Sequence, residues 1–121
     1  MQAALNKVRK PVNGSKIHVI GVAYKRDISD VRESPALDII GLLQRLGGEV
    51  TYSDPFVPKI ELESGTLESS PVSPTVADAD CVVVITDHSE LDYADVVARS
   101  RLIVDSRNIL RDFDDSKIVQ L

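Results

Sequence analysis

The feature that most constrains the fold is the continuous apolar run from Cys81 to Thr86. Five of its six residues are β-branched, which favours a strand, and apolar and polar positions do not alternate along it. A strand of this kind is typical of a parallel sheet that is covered on both faces. Because parallel strands need long crossover connections, the run predicts an α/β fold with residues 81–86 at the centre of the sheet.

Weaker patterns before and after this run alternate between strand and helix. Strands are predicted at residues 16–22, 49–53 and 102–105, with a short strand at 66–69 and a candidate edge strand at 118–119. Helices are predicted after Pro35 and around residues 93–100, with one helical turn at 75–79. The alternation predicts a doubly wound, Rossmann-like parallel sheet with helices on both faces, right-handed crossovers and a single domain.

The helix after Pro35 has a clear amphipathic pattern. Ser34 suits its cap and Pro35 its first turn. Its predicted apolar stripe consists of Ala36, Ile40, Leu43 and Gly47, widened by Ile39 and Leu46. The glycine pair at residues 47–48 predicts the end of this helix.

The first 15 residues differ from the rest of the chain. Residues 1–10 favour a helix, but Pro11 and the turn signal at Asn13 and Gly14 stop it. So short a helix is marginal alone, so we expect residues 1–15 to be the end of a longer helix and a linker, which would make this chain the C-terminal portion of a larger protein. Residues 16–121 form the predicted domain.

Charge and cysteine content exclude several classes of function. The net charge of −5 and the pI near 4.9 argue against a nucleic-acid-binding surface. Cys81 is the single cysteine, which excludes a disulfide framework and a cysteine-rich metal site, and its apolar neighbours indicate core packing. No stretch approaches the length of a membrane span, and the N-terminus shows no apolar signal core. We therefore expect a cytoplasmic protein.

The connection from Gly21 to Ala36 concentrates charge between the first strand and the first helix. Gly21 stands alone, so the connection lacks the glycine fingerprint of a dinucleotide cradle. Its cations are Lys25, Arg26 and Arg32, and its acids are Asp27, Asp30 and Glu33. The cations could bind a phosphate or pyrophosphate near the helix start, or they could pair with the acids on a solvated loop. The spacing leaves both alternatives open.

Two other segments, residues 86–89 and 105–108, should share one rim of the sheet with this connection, beyond the carboxyl ends of the strands. Residues 86–88, a threonine, an aspartate and a histidine, could line a pocket, although a lone histidine in a loop is more often structural. Asp54 could meet a ribose or make a turn before Pro55. Arg107 could reach a ligand or pair locally with Asp105 or Asn108. No group of residues forms a complete catalytic set, and none forms a metal site.

Four segments carry a resemblance to a known family. They are residues 21–25 with 30–36, residues 52–55, residues 86–88 and residues 104–108. In this order they resemble the C-terminal, nucleotide-sugar-binding domain of the UDP-glucose/GDP-mannose dehydrogenase family. The resemblance covers nearly the whole domain after residue 15.

The resemblance implies a function and four site residues. Members of this family oxidise the C6 hydroxyl of a nucleotide sugar twice, to a uronic acid, with two NAD. Tyr24 and Lys25 match the pair that contacts the substrate, and Arg107 lies in the segment that holds the uridine end. Arg32 matches an arginine that reaches the NAD, which the N-terminal domain mainly holds. The run from Arg32 to Ile40 and the segment at residues 105–108 look more like the UDP-N-acetylhexosamine dehydrogenases of bacteria and archaea than the animal UDP-glucose enzymes.

The family's NAD-binding and central catalytic domains have no counterpart in this sequence. The central domain supplies the family's thiol nucleophile and catalytic lysine, and Cys81 stands at the wrong place in the motif order to be that thiol. We therefore expect this chain to contain no catalytic residue and to be inactive alone. Its expected partners are a UDP-sugar, namely UDP-glucose, UDP-N-acetylglucosamine or UDP-N-acetylmannosamine, and the other two domains of a homo-oligomeric enzyme.

Two rival interpretations belong to other classes. A phosphoacceptor receiver domain shares the open parallel sheet, but it needs an acidic pair after the first strand and a lysine after the fifth. Residues 23–25 and 106–107 do not supply them, so this interpretation is poor. The other rival is a stand-alone nucleotide-binding module with a regulatory role and no catalysis.

Overall fold

The computed structural model describes residues 14–23, 35–62, 65–86, 88, 91–106, 108–111, 113 and 117–120. In chain order, its elements are β1 Lys16–Ile20, α1 Pro35–Arg45, β2 Glu49–Ser53, β3 Lys59–Leu62, β4 Gly65–Glu68, α2 Val72–Asp78, β5 Cys81–Val84, α3 Tyr93–Arg99, β6 Ile103–Asp105 and β7 Ile118–Gln120. The helix predicted at residues 1–10 and the cap predicted at Ser34 lie outside the described residues.

Five strands form the main sheet in the order β2-β1-β5-β6-β7, and all four pairings are parallel. The predicted central position of the run at 81–86 is confirmed, because β5 is the third of the five strands and all its residues are buried. The strand ends at Val84, whereas Ile85 and Thr86 stay buried beyond it. The predicted edge strand near residue 118 is also confirmed.

Both faces of the sheet are covered, as the doubly wound prediction requires. Successive residues of a strand point to opposite faces, and β5 divides accordingly. Cys81 and Val83 pack in the cluster that contains the buried side of α1, which consists of Ala36, Ile40 and Leu43. Val82 and Val84 pack in a second cluster, with residues of α2 and α3. The α/β class with helices on both faces is confirmed.

Helix α1 ends as predicted, but its buried apolar stripe is narrower than the predicted one. The amide of Gly48 bonds to the carbonyl of Leu43, and the amide of Gly47, with φ of 91°, bonds to that of Gln44. This is the glycine stop in left-handed conformation. The prediction that Leu46 widens the stripe was wrong, since this residue is 45% exposed at the helix end. In the part of the chain that the structure describes, no helix has the length and apolar character needed to cross a membrane.

Residues 55–75 contain more structure than the sequence predicted. Strands β3 and β4 form an antiparallel hairpin, of which only the second strand was predicted. Strand β3 was missed because it has only four residues, although charged and apolar residues alternate along it. Helix α2 is longer than the predicted single turn, and Pro74 lies in its first turn, where a missing amide is tolerated.

A buried histidine links β1 to β2. The ring of His18 is 2.7 Å from Thr51 Oγ1 through Nδ1 and 2.7 Å from Ser53 Oγ through Nε2. Ser53 donates its hydroxyl to the carbonyl of Ser70, so it accepts from His18 Nε2–H. Burial lowers the pKa of His18 from 6.5 to about 4, because the interior disfavours the charged imidazolium. His18 is therefore neutral at physiological pH.

This pKa predicts a loss of stability in acid. Below pH 6.5 the unfolded chain binds a proton at His18 that the folded chain does not bind until about pH 4. The free energy of unfolding should therefore fall between pH 6.5 and pH 4, by roughly 3 kcal/mol from this residue. Urea unfolding at a series of pH values measures this loss.

The matched variant is His18→Gln, which keeps a side-chain amide in place of the ring and does not titrate. Its unfolding free energy should be less steep in pH over this range, whereas the contribution of buried carboxylates is common to both proteins. Equal slopes for the two proteins would contradict the assignment.

Candidate functional site

The carboxyl end of β1 lies between the ends of β2 and β5, because these strands flank it in the sheet. The chain leaves β1 through Gly21, Val22 and Ala23, all of which are buried. Asp54 follows β2 on one side, and Thr86 and His88 follow β5 on the other. The predicted gathering of these segments at one rim is therefore seen in the described residues.

Asp54 binds the backbone that leaves β1. Its Oδ2 accepts from the amides of Val22 and Ala23, at 2.9 and 3.1 Å. Its Oδ1 accepts from the amide of Phe56 at 2.8 Å, which forms the predicted turn before Pro55. The carboxylate is buried and accepts from three backbone amides, so the alternative in which Asp54 meets a ribose is not supported.

His88 completes this arrangement from the other side. Its Nε2 lies 2.8 Å from Asp54 Oδ2, and neither side chain is exposed to solvent. A carboxylate oxygen only accepts, so Nε2 carries the proton and donates. The ring also packs against that of Phe56, with centroids 5.1 Å apart, and the amide of His88 donates to the hydroxyl of Tyr93. His88 thus has the structural role that the sequence favoured.

Gly21 is required by a close approach of two backbones. Its φ is +82°, and a Cβ built at this position would lie 1.9 Å from the carbonyl oxygen of Thr86. Its amide donates to the carbonyl of Ser53. Thr86 in turn donates its hydroxyl to the carbonyl of Ala23, at 2.8 Å. The isolated glycine is therefore explained by packing between β1 and the end of β5.

A second turn at the same rim is organised by Asp105. Its two oxygens accept from the amides of Ile109 and Leu110, at 3.0 and 2.7 Å. Asn108 adopts a left-handed conformation with φ of 57°, which asparagine tolerates well. Ser106 donates its hydroxyl to the carbonyl of Val84. Described residues on both sides of position 107 are thus held by hydrogen bonds.

The four predicted ligand-binding residues, Tyr24, Lys25, Arg32 and Arg107, lie outside the described residues, as do Arg26 and Asp87. Their roles stay predictions. The structure does describe the residues that flank these segments, namely Ala23, Pro35, Ser106 and Asn108. Cys81 is buried, and burial raises the pKa of its thiol to about 12, which confirms that it packs in the core.

Sequence reasoning missed the bond between Asp54 and His88. The two residues are 34 positions apart, and each looks like an ordinary loop residue. The available signal was their position, since each follows a strand that flanks β1. Among the described residues, no three histidine, cysteine or acidic side chains form a group that could hold a metal ion.

A groove of about 500 Å³ lies elsewhere, between α1 and the β3–β4 hairpin. It is lined by Leu37, Asp38, Gly41, Gln44, Arg45, Glu61 and Leu62. It shares no residue with the rim, and its walls mix apolar groups with both signs of charge. It does not contribute to the arrangement around Gly21.

Comparisons with known proteins identify relatives of this domain. Residues 18–112 match the UDP-binding domain model of the UDP-glucose/GDP-mannose dehydrogenase family. The UDP-N-acetyl-D-mannosamine dehydrogenase of Methanococcus vannielii is 34% identical over 103 residues, which are 78% of this chain and 23% of that protein. The UDP-glucose 6-dehydrogenase TuaD of Bacillus subtilis is 34% identical over 106 residues, which are 81% of this chain and 23% of that protein.

Solved structures agree with these relatives. The UDP-D-ManNAc dehydrogenase of Pyrococcus horikoshii superposes with a TM-score of 0.79 at 27% identity, over 98% of this chain and 28% of that one. The chain spans about a quarter of the length of the curated relatives that it matches.

The contact at Gly21 predicts a severe effect of Gly21→Ala. The left-handed φ and the overlap with the Thr86 carbonyl should together reduce the free energy of unfolding by at least about 3 kcal/mol. Gly14→Ala is the matched control, because Gly14 has φ of +83° and no atom within 4 Å of an added Cβ. It should cost about 1 kcal/mol, from the backbone alone.

Urea unfolding of the two variants separates the cost of the left-handed backbone from the cost of the overlap with Thr86. A similar loss in both would show that the overlap at Gly21 relaxes without cost, and the tight packing described for this rim would then be wrong.

Proposed function

Since the chain belongs to the UDP-glucose/GDP-mannose dehydrogenase family, as its C-terminal, UDP-binding domain, we propose that it holds the nucleotide sugar for an enzyme that oxidises a UDP-sugar to its uronic acid with two NAD. The family match over residues 18–112 carries this proposal, because it includes the connection 24–34 and the segment that contains Arg107. The described rim supports it, since buried side chains fix the backbone next to both segments.

In this proposal Tyr24 and Lys25 contact the nucleotide sugar, with the lysine ammonium near the phosphates. A lysine is a compact positive charge that suits a phosphate. Arg107 binds at the uridine end, where its planar fork can donate two parallel hydrogen bonds. Arg32 reaches toward the NAD. The acidic net charge does not oppose this. The cations act on a phosphate in close contact, whereas salt screens the acidic charges on the more distant surface.

The chemistry of oxidation belongs to other parts of the proposed enzyme. We propose that the N-terminal domain holds NAD and that the central domain supplies the catalytic groups. This domain would close over the sugar and position its C6 hydroxyl. Such positioning lowers a reaction barrier because the entropy of orientation is lost on binding rather than during reaction.

The substrate class proposed is a UDP-sugar, with a UDP-N-acetylhexosamine favoured over UDP-glucose. The run from Arg32 to Ile40 supports this preference, and several of the relatives are named UDP-N-acetyl-D-mannosamine dehydrogenases. The complete enzyme is proposed to be a cytoplasmic homo-oligomer.

Calorimetry with UDP tests the ligand role directly. The chain should bind UDP, and Lys25→Ala should weaken binding by about tenfold, because a charge-assisted contact to phosphate contributes roughly 1.5 kcal/mol or more. Arg32→Ala is the matched control, since it removes a cation from the same connection but is assigned to NAD. It should change the UDP affinity by less than about twofold.

Two results would contradict these assignments. Absence of UDP binding by the unmodified chain would remove the basis of the proposed function. Equal losses in Lys25→Ala and Arg32→Ala would instead show that the two cations act together on one anion, so that Arg32 is not reserved for the cofactor.

A separate assay tests the division between binding and catalysis. The chain incubated with NAD and UDP-N-acetylglucosamine, UDP-N-acetylmannosamine or UDP-glucose should form no NADH, because this domain is proposed to lack the catalytic groups. NADH absorbance measures the outcome, and a relative with all three domains serves as positive control. NADH formation by this chain would overturn the division.

A further inference from the structure

The backbone at Ala23 is held at both of its polar groups. Its amide donates to Asp54 Oδ2 at 3.1 Å, and its carbonyl accepts from the hydroxyl of Thr86 at 2.8 Å. The two partners follow strands on opposite sides of β1. Asp54 is itself held by His88 at 2.8 Å. The chain is therefore fixed from two sides at the last described residue before the ligand-binding connection.

The bond from Thr86 has a particular consequence for the next residue. The carbonyl of Ala23 belongs to the peptide group that joins Ala23 to Tyr24. A peptide group is planar, so a fixed carbonyl oxygen also fixes the direction in which the chain continues. Thr86 thereby restricts the direction in which the backbone leaves Ala23.

Burying the three polar side chains of this rim costs free energy. Asp54, Thr86 and His88 are 3%, 1% and 0% exposed, and a buried polar group costs free energy unless it is bonded. Each is bonded to backbone or to another member of the group. A fully satisfied buried network of this kind rigidifies the segment that it contacts.

We infer that Asp54, Thr86 and His88 are positioning residues for nucleotide binding, which they support by ordering the start of the connection that carries Tyr24 and Lys25. The inference rests on the proposed function of those two residues. Order before binding increases affinity, because the chain then loses less conformational freedom when the ligand arrives.

Thr86 offers the cleanest test, because two substitutions separate its hydroxyl from its shape. Thr86→Val keeps the volume and removes the donor to Ala23, whereas Thr86→Ser keeps the donor. UDP affinity, measured by calorimetry on the full chain, should fall about fivefold to tenfold in Thr86→Val and by less than about twofold in Thr86→Ser.

The control for a merely structural role is Ser100→Ala. Ser100 donates its hydroxyl to the carbonyl of Val96 at 2.6 Å, so the variant loses the same kind of buried bond. Ser100 precedes β6 and therefore lies at the amino end of the strands, opposite the rim. Both variants should lose stability in urea, Ser100→Ala the less because the Val96 carbonyl keeps the Ser100 amide as a donor, and only Thr86→Val should lose UDP affinity.

His88 provides a second pair of variants. His88→Gln places an amide donor near the position of Nε2 and should retain UDP affinity within about threefold, whereas His88→Leu removes the donor and should lose more than about fivefold. This comparison keeps the inference testable if one Thr86 variant does not fold.

The outcomes distinguish this inference from the proposed function. UDP binding that depends on Lys25 but is unchanged in Thr86→Val and His88→Leu would overturn the inference alone. Equal affinity losses in Thr86→Val and Ser100→Ala would also overturn it, because they would reflect stability only. Absence of UDP binding by the unmodified chain would overturn the proposed function and this inference together.

Discussion

The peptide groups that follow β1 leave the sheet while they are still buried, so they need hydrogen-bond partners that a neighbouring strand no longer provides. In water such groups would be solvated, but at this rim the segments after β2 and β5 cover them. Asp54 and Thr86 supply the missing acceptor and donor. Because an unbonded buried peptide group costs as much as a lost hydrogen bond, the rim depends on these side chains.

The same solution appears a second time at the end of β6. Asp105 uses both carboxylate oxygens for backbone amides of the following turn, whereas Asp54 uses Oδ1 for the turn after β2 and Oδ2 for the amides after β1. In each case an aspartate directly at or after the strand end is buried, and the residues that it holds adjoin a segment assigned to ligand binding. Two aspartates that would ordinarily be read as turn formers are thus the internal supports of the rim.

The main sheet was predictable because burial on two faces leaves a clear record in the sequence. A continuous β-branched run such as residues 81–86 suits few environments other than a central parallel strand. The sequence of β3 carried no comparable signal, because a short hairpin strand with charged residues has the composition of a loop. The pairing of Asp54 with His88 was not predictable either, since it depends on how far each chain continues past its strand. The proposed roles of Tyr24, Lys25, Arg32 and Arg107 rest on the family resemblance, because charge spacing alone left a solvated loop equally acceptable.

The two histidines show why residue type alone does not decide function. His18 and His88 are both fully buried, yet they occupy different electrostatic environments. His18 faces two hydroxyl groups, which carry no charge that would stabilise an imidazolium. Burial therefore keeps the ring neutral. His88 faces a carboxylate that also accepts from backbone amides. The first histidine therefore ties two strands together, whereas the second orients the carboxylate that fixes the exit of β1, and only the second acts on the segment that leads to Tyr24 and Lys25.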